Sequence, residues 1–378
     1  MNFALSDEQQ MLQSSAAAFV KRESPLTRVR ALRDDKTGFS PKLWRTMAEL
    51  GWLGMSYPES VGGLGQGAVE TIVVMEELGR GLVPEPMLST ILLGGRAILE
   101  AGSAAQQKHW LEPMVEGERL LTLGYLERQG RYDPFTVATT AKKDGGGWRL
   151  SGEKTVVPDA GTADRIVVTA RTGGKGDERK GISMFLVDPK ARGVTLTRIP
   201  SIDWRQRFVV GLDQVSVDDA DRLGEAGGAA DALERTLDWA TTGLAAEMLG
   251  AMNEAFRMTV EYLKTRKQFG VPIGSFQALK HRAADQYVQT ELARSAVYYA
   301  AMALDEKMED APAAVSTAKA RCNDAFHLIA NESIQMHGGI GMTDEHDIGF
   351  YFKRARAAEA TLGDSAYHRD RYARLKGY

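Results

Sequence analysis

The sequence predicts an α+β protein, mostly α-helical, in which a small β domain lies between two helical domains. Up to about residue 120, apolar residues recur with helical spacing. Residues 121–228 then contain short runs rich in β-branched and aromatic residues, and residues 229–378 return to long segments rich in Ala, Leu and Met. We therefore expect a helical domain over 1–120, a barrel or sandwich over 121–228 and a four-helix bundle over 229–378.

The first domain contains two clear helix starts. Ser6 followed by Gln9 has the pattern of a capping box. Ser40 before Pro41 places an N-cap residue in front of a proline at the first helical position. Residues 57–65 (YPESVGGLG) are predicted as an irregular loop because proline and glycine interrupt them. Further helices are predicted over 69–78 and 88–99.

Short strands with turn residues between them indicate the β domain. The GGGW segment at 145–148 is predicted as a hairpin turn, since no helix follows it to form a phosphate loop. The strands are predicted over 121–126, 136–141, 148–150, 166–170, 184–187, 194–199 and 212–217. The long helices that follow are predicted over 231–265, 276–308 and 312–336.

Composition narrows the class of protein. The 378 residues are 43% hydrophobic and 26% charged, with a net charge of −3, which argues against nucleic acid as the main partner. Cys322 is the single cysteine, so no internal disulfide forms, and the six histidines lack metal-site spacing. We see neither a signal peptide nor eighteen consecutive apolar residues. We expect a cytoplasmic protein with no membrane span.

A glycine-rich break at Gly338, Gly339 and Gly341 interrupts the last helical region. Glycine lets the backbone approach a ligand closely, so this break is a candidate phosphate-binding segment. The alternative is an ordinary tight turn between helices. The surrounding motifs decide between the two.

Five segments together resemble the acyl-CoA dehydrogenase family of flavoproteins, over essentially the whole chain. They are FSPKLWRTMAELGWLGMSYPESVGGLG, WRLSGEKTVVPDAGTADRIVVTART, GISMFLVD, TRKQFGVPIGSFQALKHRAAD and QMHGGIGMT. Each is weak alone, but their order and spacing match the family. The resemblance implies three domains that enclose FAD, assembly as a dimer of dimers, α,β-desaturation of an acyl-CoA substrate, and electron-transfer flavoprotein as the electron acceptor.

The resemblance also implies which residues hold the adenosine diphosphate part of FAD, which the family binds largely with the neighbouring subunit. Arg266 stands where the family has an arginine for the diphosphate, and its planar charged guanidinium suits that group. Gln277 can pair with polar edges of the nucleotide. The matching segments also contain Gln268 and Phe269, then Gln335, Met336, His337, Gly338 and Gly339. The alternative is that Arg266 and Gln277 lie on a solvated helix face.

The resemblance fails at the flavin ring. Where the family has Trp or Tyr, an apolar residue and Thr or Ser, this chain has Val156, Val157 and Pro158. Valine cannot stack as an aromatic ring does, and proline has no N–H to donate. The segment GYLERQGRYDPF also lacks the family pattern that precedes the β domain.

The family's catalytic base is missing at both of its known positions. Desaturation needs a carboxylate that removes the α-proton of the thioester. The two positions hold Leu362 and Ala240, and Thr241 follows where the family often has Arg. Asp364 is a weak candidate, because Asp after Gly more often forms a turn or caps a helix.

Two hypotheses follow. In the first, this chain is one subunit of a heterotetrameric acyl-CoA dehydrogenase and contributes the adenosine diphosphate half of an FAD site shared with a homologous catalytic subunit. Bacterial assemblies of this kind act on CoA thioesters of dicarboxylic acids or steroid side chains. In the second, it is a non-catalytic homo-oligomer with the same fold. A monooxygenase is less favoured, because that chemistry needs an intact flavin-ring site.

Overall fold

The fold was determined as a computed structural model that describes residues 4–378, and it confirms the predicted order of helices, strands and helices. The first helices are α1 (Asp7–Glu23), α2 (Leu26–Leu32), α3 (Pro41–Glu49), α4 (Ala68–Arg80), a π-helix (Met87–Gly95), α5 (Arg96–Ala101) and α6 (Ala104–Val115). The strands are β1 (Leu121–Gly124), β2 (Thr140–Asp144), β3 (Gly147–Pro158), β4 (Arg165–Arg171), β5 (Ile182–Val187), β6 (Val194–Arg198), β7 (Arg207–Asp218) and β8 (Arg222–Leu223). The last part comprises α7 (Ala230–Thr265), the hairpin strands β9 (Lys267–Gln268) and β10 (Val271–Pro272), α8 (Gln277–Asp305), α9 (Ala311–His337), α10 (Ile348–Glu359) and α11 (Ser365–Lys376).

Both predicted helix starts are confirmed. Gln9 N–H donates to Ser6 Oγ at 3.2 Å, and Ser6 N–H donates to Gln9 Oε1 at 2.9 Å, which completes the capping box of α1. Ser40 Oγ accepts from Leu43 N–H at 3.3 Å, with Pro41 as the first residue of α3.

The helix predicted over 88–99 is a π-helix for most of its length. The carbonyl oxygen of Ile91 accepts a hydrogen bond from the Tyr57 hydroxyl at 2.5 Å. A β-carbon added at Gly94 would lie 2.5 Å from the backbone nitrogen of Thr122, so only glycine lets strand β1 pack this closely. These contacts are long-range, and helical periodicity alone does not reveal them.

The chain divides into two compact units. One comprises Asp34–Gln66 and Pro84–Ala240, and it contains the β domain. Its eight strands form one sheet in the order β6-β7-β3-β2-β4-β5-β8, with β1 pairing in parallel with β4. Strand β3 has two register irregularities against β7, the second between Lys154 and Val157.

One predicted strand begins later than expected. The sequence indicated a strand over 136–141, whereas β2 begins at Thr140. The backbone N–H groups of Ala138 and Thr139 donate to the carboxylate of Glu127, at 2.8 and 3.0 Å, and not to a neighbouring strand. The local apolar pattern does not encode this contact.

The other unit comprises the segment up to Arg33, Gly67–Val83 and Thr241–Tyr378, and it is a helical bundle. Helices α4 and α7 touch through glycine, since a β-carbon on Gly79 would lie 2.0 Å from the carbonyl oxygen of Glu247. The Glu247 carboxylate pairs with the buried Arg354 of α10 at 2.9 Å. Within residues 4–378, no helix combines the length and the apolar character needed to cross a membrane.

Candidate cofactor site

A two-stranded hairpin follows α7 and carries three of the residues expected to contact FAD. The backbone N–H of Arg266 donates to Tyr262 O at 2.9 Å, and its carbonyl accepts from Ile273 N–H at 2.8 Å. Phe269 and Gly270 form the turn between the strands, both with positive φ, 55° and 81°. A positive φ at both central residues is typical of a type I′ hairpin turn, in which glycine is usual at the second position.

The side chains of the hairpin face solvent. Arg266 and Gln268 are exposed, and Phe269 is 91% exposed at the tip. The ring of Phe276 lies edge-on to Phe269, with centroids 6.0 Å apart, and Gln277 begins α8 directly afterwards at the surface. The hairpin tip and the start of α8 therefore lie together.

The glycine-rich break ends α9 and opens its backbone to solvent. Gly338 has φ +63°, and the chain continues as a short 3₁₀-helix through Met342. A β-carbon added at Gly338 or Gly339 would meet no heavy atom within 4 Å, whereas one at Gly341 would lie 2.8 Å from Ile334 O. The first two glycines thus leave an open surface, and Gly341 is required for packing.

His337 joins the end of α9 to the end of α7. Its Nδ1 lies 2.7 Å from Ser333 O, so Nδ1 carries the proton and donates. The ring stacks on Tyr262 with centroids 4.6 Å apart, and the ring of His346 lies at the same distance. Burial lowers the pKa of His337, and its Nε2 has no hydrogen-bond partner within residues 4–378. Since Tyr262 also accepts from Arg266 N–H, this stack links the glycine-rich segment to the hairpin.

The remaining residues of this segment differ in exposure. Gln335 is exposed in the last turn of α9, whereas Met336 is only 4% exposed and packs into the bundle. The side chain of Met336 therefore does not present a ligand-binding surface.

The segment that resembles the family's ring-binding turn lies in the β domain. Val156 sits at the second irregularity of β3 with φ +54° and is 42% exposed, while Val157 is buried. The carbonyl oxygen of Pro158 accepts from Thr122 Oγ1 at 2.7 Å. Asp159 follows with φ +53°.

Asp159 is held through its N–H, its carboxylate and its carbonyl oxygen by residues of the same unit. Its N–H donates to Gln206 O at 3.1 Å, and its carboxylate accepts from Ser89 Oγ of the π-helix at 2.5 Å. Its carbonyl oxygen accepts from Thr162 N–H at 3.1 Å. Burial raises the pKa of Asp159, against the opposing effects of Ser89 and nearby arginines.

A buried ion pair between Lys154 and Glu127 lies just before this turn in β3. Lys154 Nζ lies 2.6 Å from Glu127 Oε1 and 2.9 Å from Thr169 Oγ1, and the lysine is fully buried. Burial lowers the pKa of Lys154 to about 8, although Glu127 opposes this shift. Burial acts to raise the pKa of Glu127, but Lys154 and hydrogen bonds from Thr139 outweigh it and hold that pKa below its usual value. Sequence reasoning missed Glu127, which lies in the GYLERQGRYDPF segment, because its partner is 27 residues away in the chain.

The two positions of the family's base are apolar and buried. Leu362 is 7% exposed and has φ +59°, and Ala240 is fully buried in α7. Asp364 is the N-cap of α11, and its Oδ1 accepts from Tyr367 N–H at 2.8 Å. The carboxylate of Asp364 therefore has a structural partner.

The sequence matches three domain families in order along the chain. They are the N-terminal domain of acyl-CoA dehydrogenase over residues 6–118, the middle domain over 122–205 and the C-terminal domain over 226–376. The chain belongs to the acyl-CoA dehydrogenase family, whose members are flavoproteins and oxidoreductases that act on acyl-CoA.

Several relatives share nearly the whole chain. The acyl-CoA dehydrogenase IpdE2 of Mycolicibacterium smegmatis is 32% identical over 95% of this chain and 96% of its own length. FadE27 of Mycobacterium tuberculosis is 32% identical over 86% of this chain and 85% of its own length.

Solved structures agree with this assignment. The Tcur3481–Tcur3483 steroid acyl-CoA dehydrogenase variant superposes with a TM-score of 0.88 at 34% identity, covering 98% of each chain. The ChsE4–ChsE5 complex of Mycobacterium tuberculosis superposes with a TM-score of 0.90 at 30% identity, covering 100% of this chain and 99% of the other.

Proposed function

We propose that this chain is the non-catalytic subunit of a heteromeric, FAD-dependent acyl-CoA dehydrogenase. In this proposal it binds the adenosine diphosphate half of a FAD whose ring, base and acyl pocket belong to a homologous partner subunit. The observation that carries the proposal is a contrast within the chain. The side chains of Arg266, Gln277 and Gln335 are exposed, whereas the hydrogen-bonding groups of the ring-binding turn are engaged by their own unit.

The ring-binding turn supports the proposal because its hydrogen-bonding groups are already used. Pro158 has no N–H, and Thr122 occupies its carbonyl oxygen. The N–H of Asp159 is donated to Gln206, and its carboxylate is held by Ser89. Val156 offers no aromatic face to a flavin ring. A ring placed here would have to displace contacts that stabilise the β domain.

The residues at the end of α7 and α9 fit the diphosphate and adenosine parts of FAD. Arg266 offers a charged fork for the diphosphate, and an exposed guanidinium is free to turn toward it. Gly338 and Gly339 permit close approach of a ligand to the backbone. His337 stacks on Tyr262 and so joins the glycine-rich segment to the end of α7, next to Arg266.

In this proposal the two subunits supply different groups for acyl-CoA desaturation. When bound, FAD supplies the acceptor for the hydride that leaves the β-carbon. The base for the α-proton comes from the partner, because Leu362 and Ala240 cannot bind a proton. This chain holds and orients the cofactor through Arg266 and Gln277.

The relatives support a choice of substrate and electron acceptor. One solved relative is described as a steroid acyl-CoA dehydrogenase, and another as the ChsE4–ChsE5 complex. A further relative, from Acetobacterium woodii, is a subunit of a caffeyl-CoA reductase–Etf complex. We propose a steroid side-chain or dicarboxylic acyl-CoA as substrate, electron-transfer flavoprotein as acceptor, and a cytoplasmic location.

Flavin stoichiometry tests the proposal. The chain is purified alone, and separately with the homologous subunit that copurifies with it from its own cells. We expect far less than one FAD per chain for the isolated protein and close to one per pair for the complex. One FAD per chain in the isolated protein would overturn the proposal.

The alternative is a non-catalytic homo-oligomer that binds a ligand or serves assembly. The apolar residues at both base positions are compatible with it. If no homologous subunit copurifies from the cells and the purified chain contains no FAD, this alternative replaces the heteromeric one.

A further inference from the structure

Lys319 lies in the middle of α9 with its side chain fully buried. Its ammonium group, which has three N–H donors, lies within hydrogen-bonding distance of four oxygens, all of them neutral. The distances are 2.6 Å to Asn323 Oδ1, 2.9 Å to Gly363 O, 3.1 Å to Ala358 O and 3.4 Å to Glu359 O. A charged lysine held only by neutral oxygens is unusual, because a buried charge is normally paired with an opposite charge.

Three of these oxygens belong to the last turn of α10 and to the turn after it. Ala358 and Glu359 provide carbonyl groups at the helix end, where the helix dipole favours a cation. Gly363 lies in the turn that joins α10 to α11, next to Leu362. Lys319 thus connects the centre of α9 to the segment that carries the family's base position.

The turn is strained and is held by contacts from two helices. Leu362 has φ +59°, a conformation that residues other than glycine seldom adopt. Gly363 has φ +109°, and a β-carbon there would lie 2.7 Å from His368 Nε2. That nitrogen lies 2.9 Å from Leu362 O and donates to it. Two carbonyl groups of the turn are held from these helices: Leu362 O accepts from His368, and Gly363 O accepts from Lys319 and, at 3.3 Å, from Asn323 Nδ2.

The protonation of Lys319 changes near neutral pH. Burial lowers its pKa to about 7, Arg354 acts in the same direction, and the carboxylates of Glu359 and Asp364 oppose the shift. Burial also lowers the pKa of His368 to about 3 and raises that of the Cys322 thiol, so both are neutral. The charged groups around it are paired or capped: Arg354 with Glu247, Glu359 with Arg356 and His327, and Asp364 with Tyr367 N–H.

We infer that Lys319 couples opening of the turn at residues 361–364 to the uptake of a proton. This coupling involves only residues of this chain and requires neither the partner subunit nor FAD. In the closed turn the lysine side chain is buried, and in the opened turn it reaches water.

The direction of the pH effect follows from linkage. In water the pKa of the lysine returns to about 10.4, so between about pH 7 and pH 10 the opened turn binds a proton that the closed turn does not. Opening therefore becomes easier as the pH falls through this range, by about tenfold per pH unit. Below pH 7 both forms are protonated, and the effect ends.

Hydrogen–deuterium exchange of the full-length chain measures this opening. The amides of residues 360–366 are followed between about pH 6 and pH 10, corrected for the intrinsic pH dependence of exchange. We expect the opening equilibrium to fall by about tenfold per pH unit above pH 7 and to be constant below it. Lys319→Met should remove this slope, and the exposed Lys280→Met should retain it.

A second variant keeps the test decisive if Lys319→Met fails to fold. Asn323→Asp places a carboxylate at the ammonium group, which favours the charged lysine and moves the onset of the slope to higher pH. An opening equilibrium independent of pH in the unmodified chain would overturn the inference. So would a slope that persists in Lys319→Met, or an onset that does not move in Asn323→Asp.

Discussion

Thr122 donates a 2.7 Å hydrogen bond from its Oγ1 to the carbonyl oxygen of Pro158. This bond fixes the turn that follows β3 from inside the β domain, at the place where the family resemblance puts the edge of the flavin. The turn is therefore built to be stable without a ligand.

Replacing Val156 by asparagine is expected to stabilise the β domain. A β-branched residue at φ +54° is strained, and asparagine adopts this region more readily. Because Val156 is 42% exposed, little buried area is lost. The free energy of unfolding should rise by about 1 kcal/mol in urea denaturation. The same change at the buried Val157 should destabilise, and a loss of stability in Val156→Asn would contradict the interpretation of strain.

Arg266→Ala should remove flavin from the heteromeric complex without unfolding this chain. A charge-assisted contact to a diphosphate contributes about 1.5–3 kcal/mol, which corresponds to about a ten- to hundredfold loss of FAD affinity. Affinity is measured by flavin release from the complex, and circular dichroism monitors the fold. Lys267→Ala, at the adjacent exposed lysine, is the matched control. Retention of full FAD content in Arg266→Ala would show that the nucleotide half-site is not here.

Asp364 should affect stability and not turnover. Its carboxylate caps α11, and asparagine caps helices equally well, so Asp364→Asn should leave stability nearly unchanged. Asp364→Ala should cost about 1 kcal/mol in thermal unfolding. Turnover of the complex should stay within a few-fold in both variants. A loss of about 10²-fold or more in Asp364→Asn, at constant FAD content, would assign the base to Asp364.

Glu127→Gln should strongly destabilise the β domain at neutral pH. It leaves Lys154 buried without its carboxylate, which costs about 3–5 kcal/mol. The pKa of Glu127 is lowered in the folded chain, so its contribution is fully present above its ordinary value of about 4.3 and is lost as the pH falls through the lowered value. Acid unfolding of Glu127→Gln should therefore depend less on pH in that range. Glu153→Gln, which removes an exposed ion pair with Arg128, should change stability by less than about 1 kcal/mol.

The order of elements was predictable because it depends on local signals. The capping pattern at Ser6 and the Ser40–Pro41 pair mark helix starts within a few residues, and both were confirmed. The change from helical to strand periodicity near residue 121 is equally local. Such signals fix element type, and the fold class follows from their order.

The features that decide the site depend on contacts between distant segments. Lys319 has the same sequence surroundings as an exposed helical lysine, yet it is fully buried by α10 and α11. The pairing of Lys154 with Glu127 and the stacking of Tyr262 on His337 join residues that are far apart in the chain. The residue pattern alone does not specify these neighbours. The predicted contacts of Arg266, Gln277 and Gly338 with a nucleotide remain predictions that the flavin measurements test.

Within residues 4–378, five apolar residues other than glycine have a positive φ. Three of them, Val156, Phe269 and Leu362, with φ of 54°, 55° and 59°, stand where the family resemblance puts a cofactor contact or the base. Substitution exchanges a side chain in one step, whereas relaxing a turn requires many compensating changes in its surroundings. We therefore expect main-chain torsion angles at such turns to change more slowly than residue identity. Other divergent descendants of this family could be traced by such angles at matching positions after the reactive groups have been replaced.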